Sequence, residues 1–275
     1  MTLAVSLPAK TLIDWAGQRW ALEFQWLNAN GAAPSGPLMV FLHEGLGSVA
    51  MWKDFPQQLC VAANCRGLVI SRPGYGQSTP LPAGTRWDPD FLERQALEVL
   101  PAALAALGVD PQAQPLWLVG HSDGASIALI YASAYRTHVA GLVALAPHCF
   151  VEDCTVASIT ALRQPAVKEA LLARLARYHH APEAVFEAWS GVWLHPDFRA
   201  WSIADRISRI GCPVLAVQGV DDEYGSLEQI RSMARALPGT RLLELASCGH
   251  SPHRDHPQAL IAAICDFLNQ NEGDI

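Results

Sequence analysis

The segment Gly120-His121-Ser122-Asp123-Gly124 constrains this chain more than any other, because an apolar run precedes it and a helical run follows it. The apolar run covers residues 115–119 and predicts a buried strand, and residues 125–135 predict a helix. A strand that turns sharply into a helix here would lift the hydroxyl of Ser122 clear of the backbone, and small flanking residues would let the strained turn close. The segment therefore predicts a nucleophile elbow.

A serine hydroxyl is a weak nucleophile at neutral pH, so the elbow also predicts a histidine base and a carboxylate that orients the base. Residues 213–219 predict a buried strand, and the acidic loop after it supplies Asp222 as the orienting carboxylate. Residues 241–245 predict the next strand, and His250 follows it as the base. The order Ser122, Asp222, His250 differs from the orders found in two other serine-hydrolase folds. The sequence leaves alternatives open for both roles. Asp221, Glu152 or Asp153 could be the orienting carboxylate, and His253 could be the base.

Five segments taken together resemble the α/β-hydrolase family over nearly the whole chain. They are residues 42–48 (Leu-His-Glu-Gly-Leu-Gly-Ser), residues 72–78 (Arg-Pro-Gly-Tyr-Gly-Gln-Ser), the elbow, residues 219–222 and residues 248–250. The resemblance implies an α/β fold with an eight-stranded, mostly parallel sheet, helices on both faces and a helical cap inserted after the sixth strand. In relatives the acid commonly stands three places after the glycine that closes its strand, which favours Asp222 over Asp221.

Acyl transfer places negative charge on the carbonyl oxygen and needs fixed donors aimed at that atom, which form an oxyanion hole. One backbone N–H would come from Asp123, and the other from Gly45 or, as a second choice, Leu46. Relatives commonly carry His-Gly where this chain has His43-Glu44. An ionised Glu44 pointing inward would oppose the oxyanion, so we expect its side chain to turn outward, pair with a cation or carry a proton.

Strands and helices alternate through the first half of the chain in the way a parallel sheet requires. Residues 19–26, 37–42, 67–70 and 141–147 predict strands, and residues 55–63 and 89–107 predict helices. The alternation stops between residues 150 and 210, where about sixty residues of helical pattern are too long for a structureless loop. We therefore predict a hydrolase core of residues 1–149 and 211–275, with a helical cap at residues 150–210.

Three tryptophans in the predicted cap, Trp189, Trp193 and Trp201, bring large apolar surface. Packing onto the core is the favoured interpretation for each, although one or two should line the pocket, since an apolar lid excludes water. The residues proposed to bind substrate are His43, Glu44, His121, His148, Trp189 and Trp193. His43 is also expected to brace the oxyanion loop.

Composition limits the classes of partner. The chain has 275 residues, 51% of them hydrophobic and only 16% charged, which suits one large domain with a lid. A formal net charge of −7 argues against nucleic acid and anionic membranes. The first six residues lack a secretory signal pattern, so we expect a cytoplasmic location, and the apolar content favours a homodimer.

The seven cysteines are an odd number without Cys-x-x-Cys spacing, which predicts reduced thiols rather than a disulfide framework. His148, Cys149, Asp153 and Cys154 lie close together in sequence, but their ordinary interpretation is the mouth of a pocket rather than a metal site. We expect no metal and no cofactor.

The leading hypothesis is a serine hydrolase that cleaves a small carboxylic ester, thioester or lactone through an acyl-enzyme on Ser122. A carbon-carbon bond hydrolase of the aromatic ring-cleavage type is the alternative, although its relatives commonly carry tryptophan where this chain has Ser251. A ligand-binding protein with a retired hydrolase pocket is the non-enzyme alternative. An aspartate nucleophile at Asp123 is disfavoured because it would place His121 where the turn needs a small residue, and a hydroxynitrile lyase or cofactor-free oxygenase stays formally open.

Overall fold

A computed structural model describes residues 7–27 and 37–271, and eight strands within them form one sheet. The strands are β1 (Ala9–Trp15), β2 (Gln18–Leu27), β3 (Leu38–Leu42), β4 (Arg66–Ile70), β5 (Leu116–His121), β6 (Val139–Leu145), β7 (Val214–Gly219) and β8 (Arg241–Leu245). Their spatial order is β1-β2-β4-β3-β5-β6-β7-β8. Strand β2 is antiparallel to β1 and β4, and all other neighbours are parallel. The predicted eight-stranded, mostly parallel sheet is confirmed.

Both faces of the sheet are covered, which is why its central strands are apolar without interruption. Every residue of β3 is buried. Because side chains alternate along a strand, Val40 packs into the core on one face of the sheet and Phe41 into the core on the other. The prediction for the first six residues lies outside the described part of the chain.

Helices cover the sheet and fill the connections. They are α1 (Phe55–Ala62), α2 (Phe91–Arg94), α3 (Leu100–Ala106), α4 (Asp123–Ala134), α5 (Asp153–Leu162), α6 (Pro165–Leu175), α7 (Pro182–Trp193), α8 (Ala204–Ile207), α9 (Glu228–Ala236), α10 (Pro252–Asp255) and α11 (Pro257–Asn271). A π-helical turn, Gln95–Val99, joins α2 to α3. Across residues 7–27 and 37–271, no helix is both long enough and apolar enough to cross a bilayer.

The segment between β6 and β7 carries the helices α5 to α8 and contains no strand of the sheet. The inner face of α7 is buried, and Trp189 and Trp193 on it join the larger of the two cores. Phe186, also on α7, packs with Leu171 and Leu175 of α6 in a small separate cluster. The boundaries of a cap at residues 150 and 210 stay a prediction.

Candidate active site

Ser122 lies at the turn between β5 and α4 in a strained backbone conformation, with φ of 53° and ψ of −119°. A Cβ atom at Gly120 would lie 2.4 Å from the backbone oxygen of Gly124, and one at Gly124 would lie 2.0 Å from the backbone oxygen of Leu42. No side chain fits at either position. The amide of Ser122 donates a hydrogen bond of 2.9 Å to the backbone oxygen of Leu145, which ties the turn to the neighbouring strand.

Asp222 and His250 are brought together by the loops after β7 and β8. The Nδ1 atom of His250 lies 2.9 Å from each carboxylate oxygen of Asp222. Asp222 also accepts hydrogen bonds from the amides of Tyr224 and Gly225 and from Nε2 of Gln218. Burial acts to raise the pKa of Asp222, but His250, the amide of Tyr224 and the nearby His148 outweigh it and lower the pKa. An ionised Asp222 accepts from Nδ1, so Nε2 of His250 is the nitrogen free to take a proton.

The alternative acids and the alternative base occupy other surroundings. Asp221 is exposed, and Glu152 accepts hydrogen bonds from Ser226. Asp153 forms a surface ion pair. His253 is buried, and neither of its ring nitrogens has a hydrogen-bond partner in the part of the chain that the structure describes. None of these four residues lines the cavity that contains Ser122.

A cavity of about 110 Å³ brings Ser122 and His250 to one space. Its other lining residues come from the loop after β3, the first turn of α4, the segment between β6 and β7 and the loop after β7. They are Glu44, Gly45, Leu46, Asp123, His148, Thr155, Ile159, Trp189, Trp193 and Tyr224. His43, His121 and Trp201 are outside this lining. Sequence reasoning missed Thr155, Ile159 and Tyr224, because only the tertiary fold carries them to the cavity.

The candidate oxyanion amides belong to firmly held segments. Asp123 is the first residue of α4, so its N–H has no acceptor within the helix. Ahead of Gly45, the backbone oxygen of Glu44 accepts hydrogen bonds from Nη2 of Arg72 (2.8 Å) and Nδ1 of His43 (2.7 Å). His43 is fully buried, and its Nε2 accepts from the amide of Arg72. His43 therefore braces this loop, and Arg72 is a supporting residue that sequence reasoning missed, although its motif was noted.

The side chain of Glu44 pairs with a cation, which is one of the outcomes expected from the sequence. Its Oε1 lies 3.4 Å from Nη2 of Arg254, and its Oε2 lies 3.6 Å from Nδ1 of His121. Burial acts to raise the pKa of Glu44, but His121 and Arg254 hold it well below its usual value. Glu44 therefore stays ionised at neutral pH, with its charge offset by these neighbours.

His121 is buried behind the cavity rather than in its wall. Its Nε2 lies 2.7 Å from the backbone oxygen of His250, and since a carbonyl oxygen only accepts, Nε2 donates. Its other ring nitrogen faces Glu44. His121 thus lies between the loop that carries His250, to which it is hydrogen-bonded, and the loop that carries Glu44 and Gly45.

The carboxyl of Asp123 is buried under two indoles from α7. Its Oδ1 accepts a hydrogen bond of 3.2 Å from Nε1 of Trp193, and its Oδ2 lies 3.5 Å from Nη1 of Arg72. Burial raises the pKa of Asp123, and the Arg72 guanidinium and the indoles of Trp193 and Trp189 oppose the rise. The side chain of the residue after the serine therefore faces the cavity and the helix above it.

His148 contributes a neutral imidazole to the cavity wall. Burial, together with the neighbouring His250, lowers the pKa of His148 to about 3. Its ring centroid lies 5.7 Å from that of His250. Within residues 7–27 and 37–271, no three His, Cys, Asp or Glu side chains are grouped so that they could hold a metal ion.

The strand order, the strained serine turn and the helical segment between β6 and β7 define an α/β hydrolase. The chain belongs to the alpha/beta hydrolase family, whose model matches residues 39–263.

Known proteins similar to this chain cover almost its full length. A 2-hydroxy-6-oxononadienedioate/2-hydroxy-6-oxononatrienedioate hydrolase of Paraburkholderia phymatum is 24% identical over 265 residues, covering 84% of this chain and 87% of the relative. A 2-succinyl-6-hydroxy-2,4-cyclohexadiene-1-carboxylate synthase of Salmonella agona is 23% identical over 259 residues, covering 86% and 95%. The structure of an esterase from Thermogutta terrifontis superposes with a TM-score of 0.70 at 19% identity, covering 97% of this chain and 99% of that one.

Proposed function

We propose that this protein hydrolyses a small, neutral carboxylic ester, thioester or lactone through an acyl-enzyme on Ser122. The observation that carries the proposal is the cavity shared by the strained Ser122 and by His250, whose Nδ1 is held by an ionised Asp222. A hydroxyl, a neutral imidazole and a carboxylate in this arrangement are the parts that nucleophilic acyl transfer needs.

In the proposed reaction Nε2 of His250 removes the proton of Ser122 as its oxygen attacks the substrate carbonyl. The amides of Gly45 and Asp123 donate to the resulting oxyanion. The tetrahedral intermediate collapses, and the imidazolium of His250 returns the proton to the departing alcohol or thiol. Water then attacks the acyl-enzyme with His250 again as base, which releases the acid and restores Ser122.

The size and charge of the cavity favour a small neutral acyl group. Its volume of about 110 Å³ is below the range of about 300–1,000 Å³ that is usual for drug-sized ligands. Two of its lining residues are the carboxylic acids Glu44 and Asp123, and none of the described lining residues is Lys or Arg. The nearby guanidinium groups of Arg72 and Arg254 are already engaged by protein acceptors.

These charges also separate the leading proposal from its alternative. Carbon-carbon bond hydrolysis is suggested by the Paraburkholderia relative, whose name specifies a dioate substrate. A dianion entering this cavity would meet two carboxyls and no unpaired cation among the lining residues, which disfavours it. Faster turnover of a dienol dioate than of neutral aryl esters would reverse this ranking.

The nucleophile is tested by incubating wild-type protein, Ser122→Ala and Ser133→Ala with a fluorophosphonate and measuring intact mass. Ser133 is a matched control because it is a buried serine on the same helix, α4, with its hydroxyl bonded to the backbone of Ile130. We expect one adduct on the wild type and on Ser133→Ala, and none on Ser122→Ala. An adduct that persists in Ser122→Ala would show that Ser122 is not the nucleophile. A wild-type protein that is not labelled but binds esters tightly would favour a ligand-binding protein with a retired hydrolase pocket.

A further inference from the structure

Three buried side-chain polar atoms of residues that line the Ser122 cavity have no hydrogen-bond partner among the described residues. They are Nε1 of Trp189, a donor, Oδ2 of Asp123, an acceptor, and Nδ1 of His148; the first two lie beside the candidate oxyanion amides. Trp189 is 7% exposed and Asp123 is 1% exposed, so solvent water has little access to either side chain. Oδ1 of Asp123, by contrast, accepts a hydrogen bond from Nε1 of Trp193. Oδ2 of Asp123 and Nη1 of Arg72 are 3.5 Å apart and do not form a hydrogen bond.

Nε1 of Trp189 and Oδ2 of Asp123 belong to residues that line the same cavity, beside the candidate oxyanion amides. The Trp189 indole faces the carboxyl of Asp123 and opposes the burial-driven rise in its pKa, but the contact does not meet hydrogen-bond geometry. A Cβ atom built on Gly45 would lie 2.0 Å from Nε1 of Trp189, so the indole N–H sits over the residue that offers one amide. Asp123, which offers the other, directly follows Ser122. The pair therefore flanks the place where an acyl group must lie.

Burying a donor and an acceptor without partners is unfavourable, so a pair that persists in a ligand cavity indicates a group that completes it. A single atom that accepts from Trp189 and donates to Asp123 satisfies both. A hydroxyl oxygen does this. A carboxylate only accepts and would meet Asp123 and Glu44, whereas an ammonium only donates and would face the indole N–H and the Arg72 guanidinium.

We propose that Trp189 and Asp123 form a recognition site for a hydroxyl group on the acyl chain of the substrate, close to its carbonyl. The hydroxyl accepts a hydrogen bond from Nε1 of Trp189 and donates one to Oδ2 of Asp123. This inference rests on the proposed function, since it names the substrate class of the same cavity as hydroxyacyl esters, thioesters or lactones.

The test compares kcat/KM for phenyl esters of butyrate, 2-hydroxybutyrate and 3-hydroxybutyrate, and of the corresponding methoxy acids. Each value is divided by the rate of hydroxide-catalysed hydrolysis of the same ester, which removes differences in intrinsic reactivity. We expect one hydroxy ester to exceed butyrate by about tenfold, the worth of one to two neutral hydrogen bonds. Its methoxy analogue, which accepts but does not donate, should lose most of that preference.

Trp189→Phe keeps an aromatic ring and deletes the N–H, so it should reduce the ratio of hydroxy ester to butyrate to near one. Trp201→Phe is the matched control, because its N–H bonds to Glu93 and it does not line the cavity. The control should keep the wild-type ratio. Equal rates for hydroxy and plain esters in the wild type overturn the inference, as does a ratio that Trp189→Phe leaves unchanged or a stronger preference for 2-aminobutyrate or succinate esters.

A second measurement separates failure of the inference from failure of the nucleophile assignment. Methyl 2-hydroxybutyrate, methyl 3-hydroxybutyrate and methyl butyrate are titrated into Ser122→Ala by calorimetry, a readout that requires no hydrolysis. Tighter binding of a hydroxy ester, lost in Ser122→Ala/Trp189→Phe, supports hydroxyl recognition even where fluorophosphonate labelling contradicts the role of Ser122. Equal affinities overturn the inference even where Ser122 is labelled.

Discussion

Nε2 of His121 donates a hydrogen bond of 2.7 Å to the backbone oxygen of His250. The other nitrogen of the same ring lies 3.6 Å from the Glu44 carboxylate. A residue of the elbow thus holds the loop of the proposed base through a hydrogen bond and faces the carboxylate of the loop that carries Gly45.

The side chains of His121 and Glu44 should be energetically coupled. Because both groups are largely buried and lie 3.6 Å apart, a double-mutant cycle with Glu44→Gln and His121→Gln should give a coupling of about 0.5–3 kcal/mol in the free energy of unfolding. Urea denaturation measures it, and kcat/KM for aryl esters should fall about tenfold in each single variant as the loops loosen. The exposed pair Arg231–Glu244 is the control cycle and should show a smaller coupling. Strict additivity at Glu44 and His121 would contradict the link.

Asp222→Asn should lower kcat by about 10³–10⁴-fold with a small change in KM, because the amide no longer holds His250 in the tautomer that leaves Nε2 unprotonated. The neighbouring Asp221 provides a matched control, since its side chain is exposed. Asp221→Asn should retain nearly full activity. If the two variants showed the opposite order in steady-state kinetics, Asp221 would be the orienting acid.

Stability should decrease as the pH falls from about 6.5 to 5. Burial lowers the pKa of four histidines, His43, His148, His179 and His253, so they stay neutral in the folded state. The unfolded chain takes up those protons below a pH of about 6.5, and each histidine contributes up to about 1.4 kcal/mol per pH unit to the loss. Above that pH both states are neutral and the contribution disappears.

His148→Gln tests this linkage. The wild-type free energy of unfolding should decrease between pH 6.5 and pH 5, and in His148→Gln this decrease should be smaller by about 1–2 kcal/mol. The difference is expected whatever the effect of the substitution at neutral pH. His180→Gln, at an exposed histidine, is the control and should leave the slope as it is. Thermal or urea denaturation at several pH values measures the slope, and an unchanged slope in His148→Gln would show that the ring is protonated in the folded protein.

Ile159 of α5 is 1% exposed and lines the cavity that contains Ser122, so its side chain occupies volume that an acyl chain could otherwise use. Ile159→Ala should shift the preferred acyl chain upward by about two to three carbons and cost about 2–5 kcal/mol of stability. Leu162→Ala, on the same helix but outside the lining, should keep the wild-type profile for acetate to octanoate esters. An unchanged profile in Ile159→Ala would place the acyl group elsewhere.

The sequence predicted those features whose physical cause is local. The elbow could be predicted because the apolar strand, the small residues and the following helix are contiguous. The structure has a strained turn there, in which Ser122 adopts a positive φ. Edge strand β1 and helix α5 were not predicted. Most side chains of strand β1 are exposed or half-buried, so it lacks a clear apolar run, and α5 was included in a general expectation of helices.

The parts that escaped sequence reasoning depend on contacts between distant segments. Arg72 belongs to the loop after β4, yet it donates to the backbone of Glu44 and faces the carboxyl of Asp123. Thr155 precedes β7 in the chain and Tyr224 follows it, yet both line the cavity, and the backbone oxygen of Tyr224 accepts a hydrogen bond from Thr155. No periodicity within either segment encodes such a meeting.

Arg72 also gives the two candidate oxyanion amides a common mechanical support. Nη2 anchors the peptide before Gly45, while Nη1 faces the side chain of Asp123. One planar guanidinium, stacked on the ring of Tyr75, thus contacts both segments that carry the candidate donors. Loss of this single side chain would disturb the peptide before Gly45 and the carboxyl of Asp123 at the same time.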